Sequence, residues 1–160
     1  MNIYLAQHGN ALDKQVDPDR PLSESGVADV QLMAGFLIGR MHADRIVHSG
    51  KTRARQTAEL LGVSVSPGVA PEMVDGIAPN DPVEAFAEQL TSWEGNILVV
   101  GHLPFLARLV TLLIGGDPDT PVVTYQPGSI VHLTSDDEDG WRVSWMITPE
   151  LLVDNPAGVT

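Results

Sequence analysis

Three of the five histidines in this chain stand where a predicted strand gives way to a loop. Residues 2–6 form a short β-type run with Ile3 and Leu5 apolar, and it stops at Gln7-His8-Gly9. Arg45 to His48 reads as a second strand ending at His48-Ser49-Gly50, and residues 96–100 as a third, ending at Gly101-His102. Taken alone, Gln7-His8-Gly9 is an ordinary loop after an edge strand. Three such endings carry more, because the carboxyl ends of parallel strands share one rim, where ligands of open α/β sheets sit. Arg53 and Arg55 fall on the first turns of a predicted helix just after Ser49, where the helix dipole also favours an anion. A neutral imidazole can act as a nucleophile, and cations can stabilise the equatorial oxygens of a transferring phosphoryl group. Two histidines and an arginine on one rim could therefore transfer phosphoryl groups without a metal.

Other chemistries find less support. There is no GxxxxGK[ST] loop, no GxGxxG fingerprint, no HExxH helix and no GxSxG elbow. The histidines and carboxylates show no tight ligand spacing, so neither a metal nor any other cofactor is expected. With no cysteine, disulfides, thiolate chemistry and sulfur ligation of zinc are excluded.

Composition narrows the partners. The 160 residues are 43% hydrophobic and 19% charged, as in an ordinary globular domain, and the net charge is −12. So acidic a chain lacks the basic surface that nucleic acid or an anionic membrane requires. No secretory leader or stretch of about 18 apolar residues is evident, and the expected compartment is the cytoplasm. Five of the nine cations lie between Arg40 and Arg55. The acidic run at 136–139 reads as a solvated hairpin loop.

The elements that must position the rim follow from periodicity. Ser23 is a good N-cap for a helix whose apolar face runs from Val27 through Met33, Leu37 and Met41, with Gly39 a weak point near its end. Residues 51–61 read as the next helix, with Gly62 in the C′ position. Residues 63–80, broken by Pro67, Pro71 and Pro79, read as irregular. A helix opened by Asp81-Pro82 runs to about Leu90, and residues 103–114 form an apolar helix stopped by Gly115-Gly116. Residues 130–134 and 141–147 read as an antiparallel hairpin, with Trp141, Val143, Trp145 and Ile147 on one core-facing side. The expected architecture is α/β: a mainly parallel sheet with helices on both faces and the hairpin at one edge. One domain is expected over residues 1–155, with 156–160 a flexible tail.

Four segments occur in order: Gln7-His8-Gly9-Asn10-Ala11, Arg20-Pro21-Leu22-Ser23-x-x-Gly26, Ser49-x-x-x-Arg53-Ala54-x-Gln56-Thr57-Ala58 and Gly101-His102-Leu103-Pro104. Together they resemble the histidine phosphatase superfamily, with its phosphoglycerate-mutase-like fold. The chain's length and its Arg20-Pro-Leu and His102-Leu-Pro segments are most similar to the small bacterial phosphohistidine phosphatases of the SixA type. The resemblance implies that His8 is the nucleophile, transiently phosphorylated and released by water. It implies that Arg53 clamps the phosphoryl oxygens and that His102 hydrogen-bonds the same group, ideally protonated beside a neutral His8. The implied partners are a phosphohistidine-bearing phosphotransfer or phosphorelay protein and inorganic phosphate.

One position departs from the pattern. The family carries arginine before the nucleophile, and this chain has Gln7, which keeps a donor amide but loses the charge and the planar fork. A slow enzyme, a compensated one and a phosphohistidine- or phosphate-binding module all remain open on that ground, as does a small-molecule phosphomonoesterase. Arg20 is either a compensating phosphate-binding cation or a surface loop residue, and Arg55 reads as a solvated helix position. Glu72, Asp75 and Asp81 are the carboxylates of the loop that could supply a general acid, though none is singled out. His42 is expected to be exposed, His132 to face outward from the hairpin, and His48 to be a strand-end histidine bonded to backbone.

Overall fold

The computed structural model describes residues 1–136 and 140–153. Its six strands are β1 (Asn2–Gln7), β2 (Arg45–His48), β3 (Glu72–Met73), β4 (Asn96–Gly101), β5 (Ile130–Asp136) and β6 (Gly140–Ile147). The helices are α1 (Glu24–Leu37), α2 (Thr52–Val65), α3 (Val83–Leu90) and α4 (Phe105–Leu113). The sheet order is β3-β2-β4-β1-β5-β6. The β1–β4, β2–β4 and β2–β3 pairs are parallel, while β5 runs antiparallel to both β1 and β6. This is the mainly parallel sheet with an edge hairpin that the alternation of patterns predicts.

Strand alternation sends successive side chains to opposite faces, and each face has its own helices. Ile3, Leu5, Val99 and Leu133 pack with Phe86 of α3 and Phe105 and Leu109 of α4. Tyr4, Ala6, Leu98 and Val100 pack with Val30, Met33 and Leu37 of α1 and with Ala58 and Leu61 of α2. Phe86 and Phe105 meet edge to face at 5.8 Å, a geometry worth about 0.5–1.5 kcal/mol beyond area burial.

Local details refine the sequence expectations. Ser23 caps α1 as expected, accepting the Gly26 N–H at 3.0 Å. The helix ends at Leu37 rather than near Met41, because the Leu37 carbonyl closes the turn by accepting from both Arg40 and Met41. Gly62 does not terminate α2, which continues to Val65. Its bare Cα instead lets the helix approach the sheet, since a Cβ there would lie 2.9 Å from Ile46 Cδ1. The segment after Gly62 is therefore less irregular than its prolines suggest, and it also supplies β3 at the sheet edge. Of its apolar residues, Met73 is exposed, whereas Ile77 is buried.

The hairpin departs from strict alternation. Leu133 pairs with Val143 and His132 with Trp145, so Ser144 is an extra residue in β6, a β-bulge. The bulge flips the strand: Trp141 packs on the α3/α4 face, and Trp145 and Ile147 on the α1 side. The predicted single face is thus split in two. His132 is not an outward-facing residue either. It stacks on Tyr4 at 4.6 Å and bonds Asn2 Oδ1 at 2.9 Å through Nε2. Asp136 closes β5, while 137–139 and the expected tail at 156–160 lie outside the described residues. Among the described residues no helix is long and apolar enough to cross a membrane.

Candidate active site

The sheet order places β2, β4 and β1 side by side, so His48, Gly101 and Gln7 close three adjacent strands at one rim. His8 follows β1 directly, and its backbone N–H donates to the Gly101 carbonyl at 3.1 Å, fixing it beside the β4 end. Arg53 sits on the first turn of α2, and His102 begins the turn into α4, whose Leu103-Pro104 bond is cis. The structure brings all three together: Arg53 Nε donates to His8 Nε2 at 3.3 Å, and the His8 and His102 rings lie 5.0 Å apart.

The tautomer of His8 follows from its partners. Nδ1 lies 2.7 Å from the Gly9 carbonyl, which can only accept, so Nδ1 carries the proton. Nε2 is left as a bare lone pair facing Arg53. Burial pushes the His8 pKa down to about 4, and the positive charges of Arg53 and Arg20 push the same way, against the Gly9 hydrogen bond. His8 is accordingly neutral at pH 7.

His102 is 2% exposed. Burial, then the neighbouring His8, Arg53, Lys51 and Arg20, push its pKa down to about 3. In the unliganded site His102 is therefore neutral as well, not the protonated partner that the resemblance led us to expect. The physical reason is burial first, reinforced by the surrounding positive groups. Its Nε2 lies 2.5 Å from Ser49 Oγ, and its Nδ1 is buried with no hydrogen-bond partner among the described residues. A bound phosphoryl dianion would push that pKa back upward, since an opposite charge at contact distance favours the protonated form.

Around this pair the loop from Gly9 to Ser23 is pinned by backbone. Thr57, one turn beyond Arg53 on α2, accepts the Gly9 N–H at 3.1 Å and donates to the Arg53 carbonyl at 2.8 Å. Gln56 Oε1 accepts from Leu22 N–H at 2.8 Å. Gly26 allows the loop to lie directly on α1: a Cβ there would be 2.1 Å from the Asn10 carbonyl oxygen. Arg20, in a positive-φ conformation (48°), donates through Nε to the Leu12 carbonyl at 3.1 Å, and its charge acts on His8, Arg53 and His102 alike. Gln7 is 8% exposed, and its Oε1 is buried with no partner among the described residues.

Other candidates fall outside this cluster. His48 accepts the Gly50 N–H through Nδ1 at 3.0 Å, the backbone-bonded state expected of it. Arg55 and His42 are exposed, and His42 pairs with Asp44 at 3.3 Å. Glu72 is exposed and pairs with Arg45, Asp81 accepts the Ala78 N–H at 2.7 Å, and Asp75 is exposed. Among the described residues no carboxylate charge acts on His8 or His102. No three His, Asp or Glu side chains converge as a metal site among the described residues. An apolar cavity of about 300 Å³ between Phe36, Leu37, Arg40 and Trp145 to Ile147 offers none of this chemistry. Sequence reasoning gave no role to Ser49 or Thr57, although both lie in the segment that carries Arg53. The i, i+4 spacing of Arg53 and Thr57 on one helix face was the available signal for the latter.

Comparison with known proteins identifies the family. The family model for the histidine phosphatase superfamily (branch 1) matches residues 3–76, a span that includes His8 and Arg53. The phosphohistidine phosphatase SixA of Escherichia coli (strain K12) is 31% identical over 156 residues, covering 93% of this chain and 94% of that protein. A solved structure of the protein histidine phosphatase SixA complexed with tungstate is similar with a TM-score of 0.83 at 28% identity, covering 96% of this chain and 100% of the other. The fold alone is shared with a phosphoserine phosphatase from Entamoeba histolytica solved with 3-phosphoglyceric acid, with a TM-score of 0.74 at 13% identity and coverage of 95% and 99%. With that extent of identity and a shared α/β architecture, the chain belongs to the histidine phosphatase superfamily.

Proposed function

We propose that this protein is a metal-independent phosphohistidine phosphatase acting on a cytoplasmic phosphoprotein through a phospho-His8 intermediate. The observation that carries the reading is the bare Nε2 of neutral His8 held 3.3 Å from the Arg53 guanidinium, with the buried, unpartnered Nδ1 of His102 beside it. An electron pair, a cation and an unused polar group converge where a phosphoryl group would sit. The likeness to SixA, a phosphohistidine phosphatase, supports the substrate class.

In the first step His8 Nε2 attacks phosphorus while the bond from phosphorus to the substrate imidazole breaks, and the substrate ring leaves as it takes up a proton. Phosphorylated His8 keeps its Nδ1 proton on the Gly9 carbonyl, so the ring carries positive charge and is itself a good leaving group. Water then attacks phosphorus, releasing inorganic phosphate and restoring neutral His8. Arg53 and His102 hold the equatorial oxygens through both steps, Arg20 adds positive field, and Gln7 supplies a weaker, uncharged contact. An imidazole leaving group needs less help than an alkoxide, which fits a site where no carboxylate bears on either histidine.

The deciding experiment is phosphate release from a phosphohistidine-bearing protein by wild type and His8→Ala. Release by wild type alone supports the reading. Equal release at the spontaneous rate, with inorganic phosphate still bound, would instead favour a phosphate-binding module, the reading that the neutral Gln7 supports. Preference for a sugar phosphate over the phosphoprotein would point to a small-molecule phosphomonoesterase.

A further inference from the structure

We infer that Ser49 is a positioning residue that fixes the ring tautomer of His102, so that His102 presents an Nδ1–H donor to the phosphoryl group. The inference rests on reading His102 as a phosphoryl-binding group, and it begins with hydrogen-bond capacity. A serine hydroxyl has one proton to donate. Among the described residues the Ser49 hydroxyl has one partner, His102 Nε2 at 2.5 Å. If Ser49 accepted from an Nε2–H, its own proton would have no acceptor in the protein, and the buried Nδ1 of His102 would be a bare acceptor that no donor meets. If Ser49 donates to Nε2, the hydroxyl proton has its acceptor, and what stays unpaired on the ring is a donor rather than an acceptor. The ring proton then sits on Nδ1, the nitrogen with no protein partner. That nitrogen is free to bond an anionic oxygen.

Ser49 itself is held firmly. It follows β2, whose last residue, His48, pairs with Val100 on one side and Met73 on the other. The next residue, Gly50, donates its N–H back to His48 Nδ1 at 3.0 Å. Gly50 lies at φ 83°, and a Cβ there would be 2.4 Å from Met73 Sδ, so the turn is closed against the side chain of β3. Strand end, turn and neighbouring strand thus aim one hydroxyl at one nitrogen. The two histidines on the rim acquire matching but opposite tasks. Backbone carbonyl Gly9 leaves His8 with a bare Nε2 for attack, and hydroxyl Ser49 leaves His102 with a protonated Nδ1 for binding.

The test is nitrogen-15 NMR of the histidine rings in the unliganded protein at pH 7, for wild type, Ser49→Ala and Ser49→Thr. Wild type and Ser49→Thr are expected to show His102 protonated at Nδ1 and bare at Nε2. Ser49→Ala is expected to shift to the Nε2–H form that an unconstrained imidazole prefers. Turnover should fall in Ser49→Ala by about tenfold in kcat, as for the loss of one well-placed hydrogen bond, and Ser49→Thr should restore it. Wild type with Nε2–H, or an unchanged tautomer in Ser49→Ala, would overturn the inference. Should Ser49→Ala not fold, the wild-type and Ser49→Thr spectra still decide it. The spectra need no substrate, so failure of the phosphatase reading in the His8→Ala comparison remains a separate result.

Discussion

Two neutral imidazoles enclosed among cations should make folding stability fall with acid in a window where few other groups titrate. In the folded protein the pKa of His8 is about 4 and that of His102 about 3, against 6.5 for a free side chain. Between pH 7 and 5 both rings stay neutral in the native state while the unfolded chain takes up their protons. The unfolded state therefore binds more protons, and stability is lost as pH falls from the unfolded pKa toward the folded one. Integrating for one histidine from pH 7 to 5 gives a loss of about 1.8 kcal/mol, hence about 3–4 kcal/mol for the pair. Because the window lies above both folded values, the repulsion between the two rings does not enter. That loss is a large part of a typical domain's stability of about 5–15 kcal/mol. His48 and His132 are also shifted down by burial and add to the slope, so the informative quantity is a difference. Urea unfolding at pH 7, 6 and 5 of wild type and a His8→Asn/His102→Asn double variant supplies it. Wild type should lose about 3 kcal/mol more than the variant over that range. Parallel losses in the two proteins would refute the assignment of both histidines as neutral in the empty site.

Three further outcomes are expected. Arg53→Lys keeps the charge but loses the planar fork, and phosphate release should slow by about two to three decades while urea unfolding at pH 7 shows the fold retained. Gln7→Arg adds a further guanidinium to the site and should raise the single-turnover rate by up to about two decades; a slower variant would mean that the amide is itself the fitted contact. Gly26→Ala forces the Asn10 carbonyl away from a Cβ at 2.1 Å and should cost about 1–3 kcal/mol by urea denaturation, with weaker phosphate binding because the Gly9–Ser23 loop moves off α1.

What sequence could reveal here depended on how local the cause was. β2 is legible to the residue as Arg45–His48, and the ends of β1 and β4 to within one, because buried parallel strands read as apolar runs with abrupt polar stops. Ser23 declared itself because a cap is set by neighbours three residues away. Gly62 misled because its meaning lies across the sheet, at Ile46, and the hairpin misled because one bulge residue at Ser144 reverses every position after it. Strand topology made a shared rim legible, but it placed His48 and Arg55 there too, and the choice of His8, Arg53 and His102 came from the resemblance. The charge state of His102 was not legible, since it arises from burial between α4, β2 and the cations of two loops. The Ser49 bond was equally hidden, because it spans 53 residues.

The sheet order has a consequence for how the protein comes into being. β4 lies between β1 and β2, yet it is made after both. As the chain leaves the ribosome, His8 and Arg53 emerge early, but the strand that sets their separation follows more than forty residues behind Arg53. A chain arrested before Asn96 holds two strands lacking their common neighbour, and has neither the Gly101 carbonyl that anchors His8 nor His102. Arrival of that one strand joins β1 to β2 and brings the three rim residues together in the same event. Assembly of the rim is thereby tied to synthesis past His102.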